Sequence, residues 1–292
     1  MTSPLEYRGI AALSTVRIIV PGKIVVHSRD LTWFSLRMEK EPPPLVQGTL
    51  YLVATPMGNL EDITLRALRV LKQADLVAAE DTRHTGMLLK YFGIQKPLLS
   101  YFKFNEARRS EELLERLAKG QTIALVTDAG SPGISDPGTR VVRAAIAAGF
   151  RVEPVPGPCA LVAGLTASGL PTNEFHFVGF LPVKSGARQR ELARLIQLPG
   201  TLVLYESPHR IDRLLADLAE LAPGRTVVLA RELTKRFEEF IRGSARELHA
   251  RCRESRWRGE FVVMIAPSDF GGSTLNTQNN SSALRRTETS SS

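Results

Sequence analysis

The chain of 292 residues is poor in cysteine and histidine. It has two cysteines, Cys159 and Cys252, and five histidines, with no Cys-x-x-Cys pair, no His-Glu-x-x-His and no finger spacing. Disulfide and zinc frameworks are therefore weakly supported, and no metal site is expected. A long apolar run is also missing. The longest uncharged stretch, Pro154 to Asn173, is broken by Pro156, Pro158, Pro171 and several glycines, so no segment reads as a membrane-spanning helix. Neither Gly-x-Gly-x-x-Gly nor Gly-x-x-x-x-Gly-Lys-Ser/Thr occurs, which argues against an ordinary dinucleotide fingerprint and against a P-loop. A thiol-poor chain that begins without a secretory pattern reads as a protein of the reducing cytoplasm.

What is present is a surplus of positive charge and enough apolar residues for a sizeable core. The formal charge is +8, and 43% of residues are hydrophobic. Such a charge favours a polyanionic partner, because each lysine or arginine that neutralises a phosphate releases condensed counterions. The two ends lack periodicity. Residues 1–47, with Pro42-Pro43-Pro44 near their end, are expected to form a disordered extension, and the position of Met38 just before the prolines raises the expectation that translation begins there. The Ser, Thr, Asn and Gln-rich segment 268–292 is expected to be a disordered tail, since it buries too little surface to offset ordering entropy.

Between these ends, strand-like runs alternate with helical periods. Strands are expected at Leu50–Thr55, Leu76–Ala79, Ile123–Thr127, Val152–Val155, Phe175–Phe180, Leu202–Tyr205, Val227–Ala230, Phe240–Arg242 and Phe261–Ala266. Leu65, Leu68 and Leu71, then Val141, Val142, Ala145 and Ile146, illustrate the intervening helical spacing. The alternation predicts an α/β protein with largely parallel sheets. Rising Gly and Pro density between Pro156 and Asn173 divides it into an N-terminal α/β domain, 48–157, and a C-terminal α/β domain, 158–267, with a ligand cleft between them.

The loops at the carboxyl ends of strands carry the chemistry. Thr127 to Gly138 is a long Gly- and Pro-rich loop directly after a buried strand, where glycine lets backbone approach a ligand closely. Ala54 to Thr64 follows the first strand, with Asp62 or Thr64 available as a helix cap. Val155 to Ala160 is the third such loop, and its Cys159 reads as a packing residue because no base adjoins it. Glu80-Asp81-Thr82-Arg83-His84 and Tyr205-Glu206-Ser207-Pro208-His209-Arg210 place ionisable groups at two further strand ends. Basic residues recur at Lys103, Arg108, Arg109, Lys184, Arg188, Arg190, Lys235 and Arg236, and again from Arg242 to Arg258. Tyr101, Phe102, Phe104, Phe237 and Trp257 lie among them as potential stacking surfaces for bases.

In this order the loops resemble the tetrapyrrole methylase superfamily, and more closely its ribosomal RNA small subunit methyltransferase I family. The resemblance runs from Gly48 to Pro267 and is carried by ATPMGNLEDITLRAL from Ala54, AAEDTRHT from Ala78, VTDAGSPGISDPG from Val126, VPGPCA from Val155, FVGFLPVKSG from Phe177, LYESPHR from Leu204 and ARELTKRFEE from Ala230. It implies two α/β domains with S-adenosylmethionine in the cleft, a homodimer, and methyl transfer to the ribose 2′-hydroxyl of a decoding-centre cytidine in 16S rRNA. Cofactor contacts would then fall on Thr55, Pro56, Gly130, Ser131, Pro132, Gly133, Ile134, Pro158, Cys159, Ala160, Tyr205 and Glu206, with Ala230 and Gly259 from the second domain. Macrocycle methylases of the superfamily read Gly-Asp-Pro where this chain has Gly130-Ser131-Pro132, which favours RNA as acceptor. Many relatives carry histidines where this chain has Phe102 and Phe104, so neither position supplies a base.

A ribose hydroxyl attacks poorly until its proton leaves, so a base or a cation that stabilises the developing alkoxide is expected. The candidates are Glu80, Asp81, His84, Glu206 and His209, with Arg83 and Lys184 as electrostatic helpers. A macrocycle methylase and a non-catalytic RNA-binding assembly protein are the rival readings.

Overall fold

The computed structural model describes residues 43–254 and 257–271. Residues 1–42, where a start at Met38 is expected, and the tail from 272 onward lie outside the described residues, as does Arg256. Core contacts begin ahead of the expected Gly48. Leu45 packs against the first sheet, and the Val46 N–H donates to the Tyr51 hydroxyl at 3.0 Å. At the other end Phe270 packs on the second sheet, beyond the expected limit at Pro267.

The first sheet comprises β1 (Thr49–Val53), β2 (Leu76–Ala79), β3 (Leu98–Ser100), β4 (Ile123–Val126) and β5 (Arg151–Val155). Their order is β3-β2-β4-β1-β5, and every pairing is parallel. Helices α1 (Leu65–Gln73) and α2 (Thr82–Tyr91) cover one face, where Val70, Leu71 and Leu89 meet Tyr51, Val53 and Val77. Helices α3 (Glu106–Ala118) and α4 (Thr139–Ala147) cover the other, where Leu113, Leu117, Val141 and Ala145 meet Leu50, Ile123 and Leu125. Leu50 and Tyr51 thus point to opposite faces, as the two-residue strand period requires. With both faces covered, β2 and β4 are buried throughout and read in sequence as unbroken apolar runs. The edge strand β3 was not anticipated, because Leu98-Leu99-Ser100 is too short to display a period.

The second sheet comprises β6 (Phe175–Phe180), β7 (Thr201–Glu206), β8 (Thr226–Arg231), β9 (Glu239–Ser244) and β10 (Phe261–Ile265), in the order β6-β7-β10-β8-β9. Here the expectation of largely parallel pairing is corrected. Only β6 and β7 run parallel, while β10 is antiparallel to both β7 and β8, and β8 is antiparallel to β9. The reason is the connection between β8 and β9, which holds no helix and is too short for a parallel crossover. Helices α6 (Ser185–Leu195), α7 (Ile211–Leu221) and α8 (Ala245–Glu254) pack on one face through Leu192, Leu214, Leu215, Leu218 and Leu248. The opposite face is covered by α5 (Ala160–Ser168), whose Leu165 meets Val203, Val228, Val262 and Met264. None of these helices is long and apolar enough to cross a membrane, among the described residues.

Arg188 is part of this core and does not belong to a nucleic-acid surface. It is 4% exposed, and its Nε donates to Asp217 Oδ2 at 2.6 Å, while Gln189 Nε2 donates to Asp217 Oδ1 at 2.9 Å. Its position on the inner side of α6 makes it a partner of α7, so the sequence expectation of an RNA contact at Arg188 is corrected. Replacing Arg188 with alanine leaves the Asp217 carboxylate buried and unpaired, which should cost about 3–5 kcal/mol in urea unfolding. A change below about 1 kcal/mol would show that Asp217 finds solvent or another donor.

Candidate active site

Strands β1 and β4 lie side by side, but the chain leaves them in opposite directions, β1 toward β2 and β4 toward β5. Their carboxyl ends therefore form the crevice in which open parallel sheets seat ligands. Two backbone hydrogen bonds close its floor, Thr55 N–H to Gly130 O and Gly130 N–H to Thr55 O, each 2.9 Å. Thr55 Oγ1 donates to Thr127 O at 3.0 Å, and Ser131 Oγ donates to Pro158 O at 3.0 Å. The loops after β1, β4 and β5 are thereby stitched into one surface.

Opposite this surface lie the ends of β6, β7, β8 and β10, and a cavity of about 280 Å³ lies between the two. That volume is close to the lower end of small-molecule sites, about 300–1,000 Å³. Of the residues singled out from sequence, Gly130, Ser131, Ile134, Cys159, Ala160, Tyr205, Glu206 and Ala230 line it. Thr55, Pro56, Pro132, Gly133, Pro158 and Gly259 are not in its wall. Thr55 and Pro158 are occupied in bracing the loops. Gly259, with φ +89°, is glycine because a β-carbon there would overlap the Glu232 side chain. Met57, Phe180, Leu233 and Phe261 complete the apolar wall and were not anticipated. Their apolar character is equally that of core residues, so nothing in the sequence set them apart.

One wall residue carries an unmet demand. Glu206 is 2% exposed, its Oε1 accepts from Ser207 N–H at 2.8 Å and lies 3.2 Å from Arg210 Nε, while Oε2 is buried without a hydrogen-bond partner. Burial raises its pKa, against the Ser207 hydrogen bond and the nearby Arg210 and Arg188. Beside it, the Tyr205 hydroxyl accepts from Leu161 N–H at 2.9 Å, joining the second sheet to the start of α5. A ligand N–H or O–H reaching Glu206 Oε2 would satisfy it.

At the open end of the cavity stands Asp136, absent from the sequence-based candidates. Burial, followed by the charges of Glu80 and Asp128, pushes its pKa up to about 7. Glu80 is raised in turn, first by burial and then by Asp128. The preceding residue, Ser135, adopts φ 66° and lies against Gly179 of β6, where a β-carbon would come within 2.7 Å of Ser135 Oγ. Gly179 itself has φ +71° and sits at the register shift of the β6–β7 pairing. Among the described residues no three His, Cys, Asp or Glu groups converge to hold a metal ion.

The other acid–base candidates are placed differently. Asp81 caps α2 through Arg83 N–H at 2.8 Å and pairs with the Arg83 guanidinium at 2.7 Å. The Arg83 hydrogen bonds hold its carboxyl well below the usual range, so it stays an ionised cap and is a poor proton acceptor. Arg83, His84 and His209 are exposed or outside the cavity wall. Among the basic candidates Lys103, Arg108, Lys184, Arg190 and Arg236 are exposed. Arg109 pairs with Glu112, and Lys235 is held by Glu232 at 3.0 Å and Glu260 at 2.9 Å. Phe102, Phe104 and Phe237 are exposed, whereas Tyr101 is buried and Trp257 packs on the second-sheet core.

A second, open groove of about 1,000 Å³ adjoins the cavity along α4, and Ser135 and Asp136 line both. Its wall carries Lys103, Arg140 and Arg143 together with Glu80 and Glu106. Glu106 Oε1 accepts from Gly138 N–H at 3.2 Å and from the Tyr101 hydroxyl at 3.2 Å, fixing the start of α4 against the Tyr101 loop.

The profile of the tetrapyrrole (corrin/porphyrin) methylases matches residues 49–249. The ribosomal RNA small subunit methyltransferase I of Micromonospora olivasterospora is 51% identical over 222 residues, covering 76% of this chain and 71% of that protein. The protein of the same name from Escherichia coli O157:H7 is 50% identical over 222 residues, covering 75% and 78%. Among solved structures, uroporphyrin-III-C-methyltransferase from Thermus thermophilus aligns with a TM-score of 0.53 at 25% identity, over 76% of this chain and 95% of that one. Uroporphyrin-III C-methyltransferase from the same organism, complexed with S-adenyl homocysteine, aligns at 0.54 and 22% identity over 75% and 97%.

The raised Asp136 pKa has a thermodynamic consequence. Above pH 7 the folded protein holds a carboxylate it would prefer protonated, so this group's contribution to stability is present below pH 4 and lost as pH rises through about 7. Asp136→Asn should therefore be more stable than the parent at pH 8, with the advantage vanishing toward pH 4 in thermal unfolding. An advantage independent of pH would refute the shift.

Proposed function

The chain belongs to the tetrapyrrole (corrin/porphyrin) methylase family, and from that premise we propose that it is an S-adenosylmethionine-dependent methyltransferase acting on the ribose 2′-hydroxyl of a decoding-centre cytidine in 16S rRNA. The observation that carries the cofactor assignment is the cavity at the strand ends, with the buried Glu206 side chain contributing to its wall. Apolar surface from Met57, Ile134, Leu233 and Phe261 suits an adenine ring, and Glu206 suits a hydroxyl or ammonium donor. When bound, S-adenosylmethionine supplies an activated sulfonium methyl. The protein's own work is then positioning, exclusion of water, and removal of one proton from the acceptor oxygen. Asp81 is withdrawn as a base because it is committed to capping α2. Glu80 and Glu206 remain, in the walls of the groove and of the cavity respectively. The RNA acceptor is supported by the names of the relatives and by the basic charge. Assembly as a homodimer and residence in the cytoplasm complete the proposal.

Incubation with labelled S-adenosylmethionine and small ribosomal subunits or 16S rRNA should place label on the ribose of one cytidine. Label on a base, or on a precorrin alone, would overturn the acceptor assignment. Glu206→Ala should weaken cofactor binding roughly ten- to a hundredfold by calorimetry, through loss of a hydrogen bond to a buried charge. Unchanged affinity would remove Glu206 from the site. Light scattering at twice the chain mass would support the dimer, and a monomer would refute it.

A further inference from the structure

We propose that the groove along α4 seats the RNA strand, with Lys103, Arg140 and Arg143 on the phosphates flanking the acceptor nucleotide, and that Asp136 takes the proton of its ribose hydroxyl. The inference rests on the methyltransferase reading and extends it to the direction of entry and the identity of the base. Neither Arg140 nor Arg143 nor Asp136 stood among the residues singled out from sequence.

Three observations converge. The first is continuity. Ser135 and Asp136 belong to the walls of both the enclosed cavity and the open groove, so a group entering from the groove meets Asp136 before the cavity. The second is charge. Arg140 and Arg143 are exposed on the first turns of α4, and Lys103 stands across the groove on the loop fixed by the Tyr101–Glu106–Gly138 hydrogen bonds. No ion pair is formed by these three cations among the described residues, in contrast to Arg109, Arg188 and Lys235, which are paired. The exposed Phe102 and Phe104 rings flank Lys103 in sequence and pair edge to face at 6.2 Å, offering stacking surface for an unpaired base. The third is the setting of Asp136. It is held by a left-handed Ser135 pressed against Gly179 and faces Glu80 and Asp128, with Tyr205 on the cavity side and Glu106, Lys103, Arg140 and Arg143 along the groove. Burial, and after it the charges of Glu80 and Asp128, leave it a competent proton acceptor near neutral pH.

In the step proposed, Asp136 accepts the hydroxyl proton as the ribose oxygen forms its bond to the methyl carbon. The carbon–sulfur bond breaks with its electron pair returning to sulfur, and charge balances as a sulfonium and a carboxylate give a thioether and a carboxylic acid.

The test has two arms. In the first, cofactor-free protein is titrated with 16S rRNA at several salt concentrations. Arg140→Ala/Arg143→Ala should bind about tenfold more weakly and lower the salt slope by roughly 1.4, two single-strand phosphate contacts, while Lys90→Ala on α2 should match the parent. Parental affinity and slope in the double variant would overturn the groove. In the second, Asp136→Asn should lose about a hundredfold or more in kcat with cofactor and RNA affinity unchanged. The parent kcat should rise with pH through about 7, and Asp128→Asn should move that limb to lower pH by removing a like charge. Retained turnover in Asp136→Asn, or a limb unmoved by Asp128→Asn, would overturn the base. If the parent transfers no methyl to any ribosomal substrate, the methyltransferase reading itself fails, and the binding arm still decides the groove.

Discussion

The reciprocal hydrogen bonds between Thr55 and Gly130 are the constraint on which the site depends. Two loops leave adjacent parallel strands for opposite faces of the sheet, and without a tie nothing would keep them in register beyond the last strand residue. The tie extends the sheet's order by one antiparallel bridge into the loops. From that point Ser131 reaches Pro158, and the loop continues to Ser135, which meets β6. A single bridge in the first sheet thus sets the height at which the second sheet can approach.

Charge is sorted by depth. The cations of the composition are partly drawn into ion pairs, buried in Arg188 with Asp217 and nearer the surface in Lys235 between two glutamates. The carboxylates Glu80, Asp128 and Asp136 collect where the enclosed cavity opens, and the unpaired cations Lys103, Arg140 and Arg143 lie just outside them. A cationic cofactor and a polyanionic acceptor therefore meet fields of opposite sign within a short path, each favourable to its own ligand.

Much of the architecture was legible because loop chemistry and apolar runs survive in one dimension. The glycine- and proline-rich loops at β1, β4 and β5 pointed to a cleft, and eight of the residues singled out there or on the facing strands do line the cavity. Strand direction was read correctly in the first sheet but not in most of the second. Fully buried strands such as Val227 to Ala230 look alike in either orientation, and only the helix-free gap before Glu239 betrayed the reversal. Asp136 escaped notice because its significance is relational: an Asp-Pro-Gly turn reads as a helix start until Glu80 and Asp128 are brought beside it. Arg188 erred in the opposite way, since its partner Asp217 lies on the next helix and a basic residue on an amphipathic segment ordinarily faces solvent.

Helix α5 continues directly from the Val155–Cys159 loop of the first sheet, yet its buried apolar residues pack on the second. Chain order and packing thus disagree about where one half ends. A protease nick before Ala160 would leave the cover with the sheet it protects, giving fragments able to re-associate. A nick after Ser168 would strip Val203, Val228, Val262 and Met264 of their lid and leave a sheet face prone to stick to anything apolar. The short span of α5 therefore separates a tolerant cut from a ruinous one, and any attempt to divide or permute the molecule must pass on its amino-terminal side.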